Sequence, residues 1–120
     1  MLINLSNHPS AKWSDAQLRS AKEQFGGRIV DIPFPQVAPD GDEAYIERLA
    51  GQVCSGIVEM ENIDAVHVMG EMTLTLAIVH RLSSSGFSCV ASTTQRVVRE
   101  LPFGQSESTF SFVRFRKYTI

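Results

Sequence analysis

Ala65-Val66-His67-Val68-Met69-Gly70-Glu71-Met72-Thr73-Leu74-Thr75-Leu76-Ala77-Ile78-Val79-His80-Arg81-Leu82 is the stretch on which the fold turns. The short apolar run Ala65–Met69 predicts a buried strand, and Gly70 breaks it. Leu74, Leu76, Ala77, Ile78, Val79 and Leu82 then follow as a run apolar on nearly every side, with Thr73 and Thr75 at its start. A strand that turns through glycine into a helix leaves free N–H groups and the positive end of the helix dipole above the strand. The turn is therefore expected to be the floor of a site for a phosphate-bearing ligand. Gly70, Glu71, Met72, Thr73 and Thr75 are its candidate ligand-binding residues.

Working outward, the elements alternate. Leu2–Leu5 reads as a strand that runs into the polar loop Ser6–Ser10. Ser14 with Gln17 forms a capping box, Trp13 and Leu18 can staple the helix start, and Gly26-Gly27 ends the helix. Arg28–Ile32 is a second strand, and the three prolines between Pro33 and Gly41 exclude regular structure there. Asp42 can cap a helix in which Ile46, Leu49, Val53 and Ile57 recur at helical spacing. Ser83–Gly86 stops the central helix, and Phe87–Ala91 is a further strand. Arg96–Leu101 and Thr109–Thr119 suggest a β-hairpin across Pro102–Ser106. A helix over Thr93–Leu101, capped by Ser92, is the competing reading. This order predicts an α/β fold: a Rossmann-like parallel sheet flanked by helices, with a C-terminal β-hairpin. Ligands of such sheets bind beyond the carboxyl ends of the strands. Here those ends are Ser6–Ser10, Pro33–Pro39, Gly70–Thr75 and Ser92–Arg96.

Composition narrows the class. A chain of 120 residues, 43% hydrophobic and 20% charged, suits one folded domain. Its net charge of −2 argues against a coat for double-stranded DNA or for RNA. No apolar run is long enough to cross a bilayer and no signal-peptide pattern is present, so no membrane partner is expected. Cys54 and Cys89 read as two buried thiols of a cytoplasmic protein.

Familiar reaction motifs are missing. His8, His67 and His80 lack metal-ligand spacing, so no metal is expected. There is no nucleophile elbow, no Walker loop and no Gly-x-Gly-x-x-Gly, so neither a dinucleotide nor any other cofactor is expected. His67 and His80 read as structural. His8, in the loop after the first strand, could donate to a phosphate or shuttle a proton, or be an ordinary exposed histidine. Glu71 would repel a phosphate set directly against it. It could accept from a ribose hydroxyl, act as a base on one, or simply favour the helix dipole. Arg96 could grip phosphate with two parallel bonds, or pair with Glu100 on the surface. Ser111–Phe115 is similar to part of the stacking strand of RNA-recognition domains. It lacks that motif's glycine, so a strand with one buried face at a dimer contact is the preferred reading.

Three segments carry a resemblance. Asn4-Leu5-Ser6-Asn7-His8-Pro9 runs from strand into Asn-His-Pro. Met69–Ala77 is similar to the Gly-x-x-hydroxyl helix start that holds the ligand in CARF domains. Ala91-Ser92-Thr93-Thr94-Gln95-Arg96 leads into an aromatic and basic hairpin. On these segments the chain resembles the small stand-alone CRISPR-associated Rossmann-fold proteins, the CARF-like relatives of type III CRISPR systems. The likeness covers nearly the whole chain and implies a single CARF-like domain over residues 1–120. It implies a homodimer that binds cyclic oligoadenylate, most often cyclic tetra-adenylate, across its two-fold axis. Some small members are metal-independent ring nucleases, in which a ribose 2′-hydroxyl attacks the adjacent phosphate and leaves a 2′,3′-cyclic phosphate. Others hold the ring and sequester the signal.

The resemblance implies ligand contacts at Asn7, His8, Gly70, Glu71, Met72, Thr73, Thr75, Ser92, Thr93, Thr94 and Arg96. His8, Glu71 and Arg96 are then the candidate catalytic residues, with His8 or Glu71 moving the proton and Arg96 at the phosphate. No catalytic residue of the family can be laid on this chain, so cutting and holding both stay open. So does a small α/β protein for another phosphate ligand.

Overall fold

Every residue of Leu2-Ile3-Asn4-Leu5-Ser6 is buried, and this strand is the axis of the sheet. The computed structural model describes residues 1–120. Its elements are β1 (Leu2–Ser6), α1 (Asp15–Phe25), β2 (Ile29–Pro33), α2 (Glu43–Val58), β3 (Ala65–Met69), α3 (Met72–Ser84), β4 (Cys89–Glu100) and β5 (Ser106–Lys117). The strands lie in the order β2-β1-β3-β4-β5. The first four are parallel, and β5 returns antiparallel along β4. This is the α/β sheet with a C-terminal hairpin that the element order predicts. No helix is long and apolar enough to cross a membrane.

The two faces of the sheet are covered unequally. Alternation sends Ile3, Leu5, Val66 and Val68 to one face, where Ala50, Cys54 and Ile57 of α2 and Leu74, Ile78, Val79 and Leu82 of α3 meet them. Leu2, Ala65, Val90 and Phe115 point to the other face, against Trp13 and Ala21. Only α1 covers this second face. Both candidate caps act: the Ser14 hydroxyl accepts from Gln17 N–H at 3.2 Å and Asp42 from Tyr45 N–H at 2.9 Å. Each cap contributes about 1 kcal/mol. Gly26, at φ 83°, ends α1 in a conformation that few other residues adopt. Cys54 and Cys89 are buried free thiols.

The largest departure from expectation is β4. It begins at Cys89, two residues after Phe87, and does not stop at Ala91. Ser92, Thr93, Thr94 and Arg96 therefore lie inside a strand rather than in a strand-end loop, and no helix forms over Thr93–Leu101. The reason is pairing. Each residue from Val90 to Glu100 has a partner on β5, with a bulge at Thr93/Thr94, so the ladder continues where β3 ends. Ser92 lies level with Met69, the last residue of β3, as the β3–β4 register requires. Thr93–Glu100 then overhang the sheet by roughly 26 Å, at about 3.3 Å per residue. This arm stretches the molecule to 52 × 38 × 25 Å and its radius of gyration to 16.2 Å. A compact domain of this length would have about 13.5 Å.

Candidate functional site

The strand order reverses between β1 and β3, since β2 lies on one side of β1 and β3 on the other. The loops after β1 and β3 therefore flank the crevice in which sheets of this kind take ligands. Asn7 and His8 stand exposed in the first loop. The loop is held by its own backbone: the His8 carbonyl accepts from Asn4 Nδ2 at 2.9 Å and Trp13 Nε1 at 3.0 Å.

The second loop is built differently from the empty anion floor that its residues suggest. Glu71 is the N-cap of α3. Its carboxylate accepts from Thr73 N–H at 3.1 Å, Leu74 N–H at 2.8 Å and the Thr73 hydroxyl at 2.8–2.9 Å. The Leu74 amide first, then the Thr73 hydroxyl and amide, hold this carboxyl below its ordinary value. It is an anion near neutral pH and already occupies two of the amides that a phosphate would use. This is the capping role, and it leaves Glu71 a poor base. Gly70 also has a local explanation. A Cβ built there would fall inside the ring of Phe34, which is 7% exposed and arrives from the loop after β2. The glycine admits that ring, which closes the crevice directly above the turn. Met72 is 84% exposed, so it is open to a ligand. Thr75 Oγ1 is buried with no partner.

On the α1 face of the same edge lies a chain of polar groups inside otherwise apolar strands. Asn4 and His67 are both buried, on adjacent strands in register. Asn4 Nδ2 donates to Asp31 Oδ1 at 2.8 Å, and His67 Nδ1 meets Asn4 Oδ1 at 2.9 Å. His67 Nε2 meets Ser92 Oγ at 3.1 Å. Trp13 and Phe115 stand edge-on to the His67 ring, with centroids 5.3 and 5.6 Å away. Burial, helped by the nearby His8, pushes the His67 pKa down to about 4. Burial opposes charge on Asp31 as well, but the hydrogen bonds from Asn4 and Ser10 outweigh it and the carboxyl lies below its usual value. Burial pushes the Cys54 thiol up to about 11 and raises Cys89, so neither is a ready nucleophile.

The depressed His67 has a measurable consequence. The unfolded imidazole titrates near 6.5 and the folded one near 4. Between these values the unfolded chain binds the extra proton, so stability falls as pH is lowered from about 6.5 to about 4. The slope is at most about 1.4 kcal/mol per pH unit. Asp31 and Glu71, with lowered pKa values, add their losses further down, as pH falls through their folded values. Urea midpoints measured from pH 7 to 4.5 should decline in the wild type and much less in His67→Gln. Equal declines would show that His67 is not the titrating group.

Arg96 stands apart from the two loops. It is four residues beyond Ser92 on the arm, roughly 13 Å higher along the strand. Its guanidinium donates to Ser108 Oγ at 3.0 Å instead of pairing with Glu100. Ser92, Thr94 and Arg96 share the arm face that carries Phe115, Phe112 and Phe110, their partners in the register. Phe110 is 71% exposed. Val97, Val98, Phe103 and Val113 are also exposed on the arm.

The structure thus brings Asn7, His8, Gly70, Glu71, Met72 and Ser92 to one edge and sets Thr93, Thr94 and Arg96 on a wall rising from it. Thr73 faces another cavity, of about 710 Å³, between α2, α3 and the C-terminal residues. Asp42, Glu43 and Glu47 line it, and their carboxylates oppose a phosphate. Asn4, Asp31, Phe34 and the role of His67 escaped the sequence reading. The available signal was a polar residue at the centre of each of two apolar runs, Leu-Ile-Asn-Leu and Ala-Val-His-Val-Met. A family model described as the uncharacterized protein MJ1673 family matches residues 1–116. No curated protein and no solved structure matches the chain.

Proposed function

The chain belongs to the uncharacterized protein MJ1673 family, and from that premise we propose that it binds cyclic oligoadenylate, cyclic tetra-adenylate first among the rings, as a homodimer. We propose further that it opens the ring without metal to linear products ending in a 2′,3′-cyclic phosphate, which would switch off type III CRISPR signalling in the cytoplasm. The observation that carries this reading is the arm beside the switch-point edge. One of its faces presents Arg96, Thr94, Phe110 and Phe112. Phenylalanine faces suit adenine stacking, and a guanidinium suits a phosphate. The edge below offers acceptors, the Glu71 carboxylate among them, which suit ribose hydroxyls. A ring of nucleotides supplies all three kinds of group.

A second copy fits the same picture. Val98 and Phe110, on the face of Arg96, and Phe103 at the turn are exposed on an arm that has only β5 for a neighbour beyond Ser92. Apolar patches of this kind are typically covered by a partner. The roles in cleavage would be in-line positioning by the edge, phosphate contact by Arg96 and proton transfer by the exposed His8. The capped state of Glu71 favours one alternative, a chain that holds the ring intact as a sponge or sensor. A third reading keeps the fold and gives it another phosphate ligand.

Incubation with cyclic tri-, tetra- and hexa-adenylate in the presence of a chelator, followed by chromatography, separates these readings. Linear products support cleavage. A ring retained intact supports the sponge. No interaction with any ring removes both. Arg96→Ala should weaken binding about tenfold, as expected for one charge-assisted contact. Unchanged binding and turnover would take Arg96 out of the site.

A further inference from the structure

We infer that Ser92 Oγ is a hydrogen-bond acceptor for a donor group of the ligand, a hydroxyl or an exocyclic amine, and that Asn4 and His67 are the positioning residues that fix this polarity. The protons along this chain of polar groups can be assigned one by one. Asn4 Nδ2 lies 2.8 Å from the Asp31 carboxylate and 2.9 Å from the His8 carbonyl, both of which can only accept. The amide of Asn4 is therefore oriented, and its Oδ1 faces His67 Nδ1 at 2.9 Å. An amide oxygen only accepts, so Nδ1 carries the proton. His67 is buried against Trp13 and Phe115 and is neutral near pH 7. Its Nε2 is then a bare lone pair, 3.1 Å from Ser92 Oγ. The serine hydroxyl has one proton, and Nε2 requires it. The alternative acceptor, Met69 Sδ at 3.0 Å, is a weak one, and it also lies 3.4 Å from the Ser92 N–H.

With its proton turned inward, Ser92 offers only lone pairs outward. Ser92 is half-buried at the level where β3 ends, beside the turn that carries Gly70 and Glu71. A phosphate oxygen is an acceptor and is repelled there. A ribose 2′-hydroxyl or an adenine amino group is satisfied. This inference rests on the cyclic-oligoadenylate reading and adds a polarity to it: the sugar or base, rather than the phosphate, is read at Ser92.

Two measurements test it. The first is the tautomer of His67 in the wild-type chain by imidazole nitrogen NMR at pH 7. The Nδ1–H form is expected, and the Nε2–H form would overturn the inference, because Ser92 would then be free to donate. The second compares binding of cyclic tetra-adenylate with its all-2′-deoxy analogue and with an analogue lacking the exocyclic amine. Wild type should lose about tenfold for one of the two analogues, which identifies the donor. Ser92→Ala should bind the parent ring about tenfold more weakly and no longer discriminate against that analogue. Discrimination that survives in Ser92→Ala overturns the assignment. A chain that binds no ring removes the functional reading and the ligand assigned to Ser92. An Nδ1–H tautomer in that same sample would still uphold the polarity of the hydroxyl.

Discussion

Phe34→Ala is expected to lower the free energy of unfolding by about 3–5 kcal/mol, the range for truncating a buried aromatic that leaves a cavity. Phe34 belongs to the main core cluster although it comes from a loop, and its ring fills the space in front of Gly70. The converse change, Gly70→Ala, drives a methyl group into that ring and should cost about 1–3 kcal/mol by overpacking. The two are coupled. Once the ring is gone the methyl group fits, so the double variant should be more stable than the sum of the single effects predicts. Urea denaturation of the four proteins gives the cycle. Strict additivity would mean that Phe34 and Gly70 do not meet.

The second large effect is at Asn4. Asn4→Leu removes an amide that joins Asp31, Ser6, the His8 carbonyl and His67. A buried polar group left without a partner costs about 1–3 kcal/mol. His67 Nδ1 is stranded deeply, while Ser6 Oγ loses one partner and keeps the His8 backbone, so a loss of about 1–3 kcal/mol is expected. Asn4→Asp tests the same chain with the shape kept. It sets a carboxylate against Asp31, where Nδ2 now donates, and should also destabilise the fold. A variant as stable as wild type would show that the polar chain is not closed as described. If Asn4→Leu fails to fold, Ser6→Ala reads the same network with a smaller expected loss of about 1 kcal/mol.

The sheet and its helices were legible because their signals are local. Ser14 and Asp42 before periodic apolar runs marked two helix starts, and Ala65–Met69 as a buried strand is matched residue for residue. The same locality explains what was missed. β4 has no apolar pattern after Ala91, because Thr93–Glu100 is supported by pairing with β5 alone and not by a core. The hairpin strand from Arg96 is legible, but periodicity cannot join it to Phe87–Ala91 across residues that bury neither face, so the run Ser92-Thr93-Thr94 reads as the end of a strand. At the candidate site the sequence names residues and says nothing of their arrangement. Favouring the helix dipole is one of three sequence readings of Glu71, and its capping of α3 shows only in the three donors that converge on its oxygens. Asn4 and His67 lie 63 positions apart. Nothing in either segment says that the other is in register with it. Phe34 follows a strand into a proline-rich loop, and its approach to Gly70 is fixed by long-range packing.

On the proposed function, a phosphate would meet the cations of the arm rather than the amides of α3, which Glu71 already satisfies. The edge formed by Glu71 and Ser92 would take donors, and a second copy covering the arm would tie ligand binding to dimer formation.

Isothermal titration of the chain with cyclic tetra-adenylate, with light scattering on the same sample, tests this most directly. A dimer that takes up one ring per two chains is the predicted result. A monomer, or a dimer that gives no binding heat with the tri-, tetra- or hexa-adenylate ring, would contradict it.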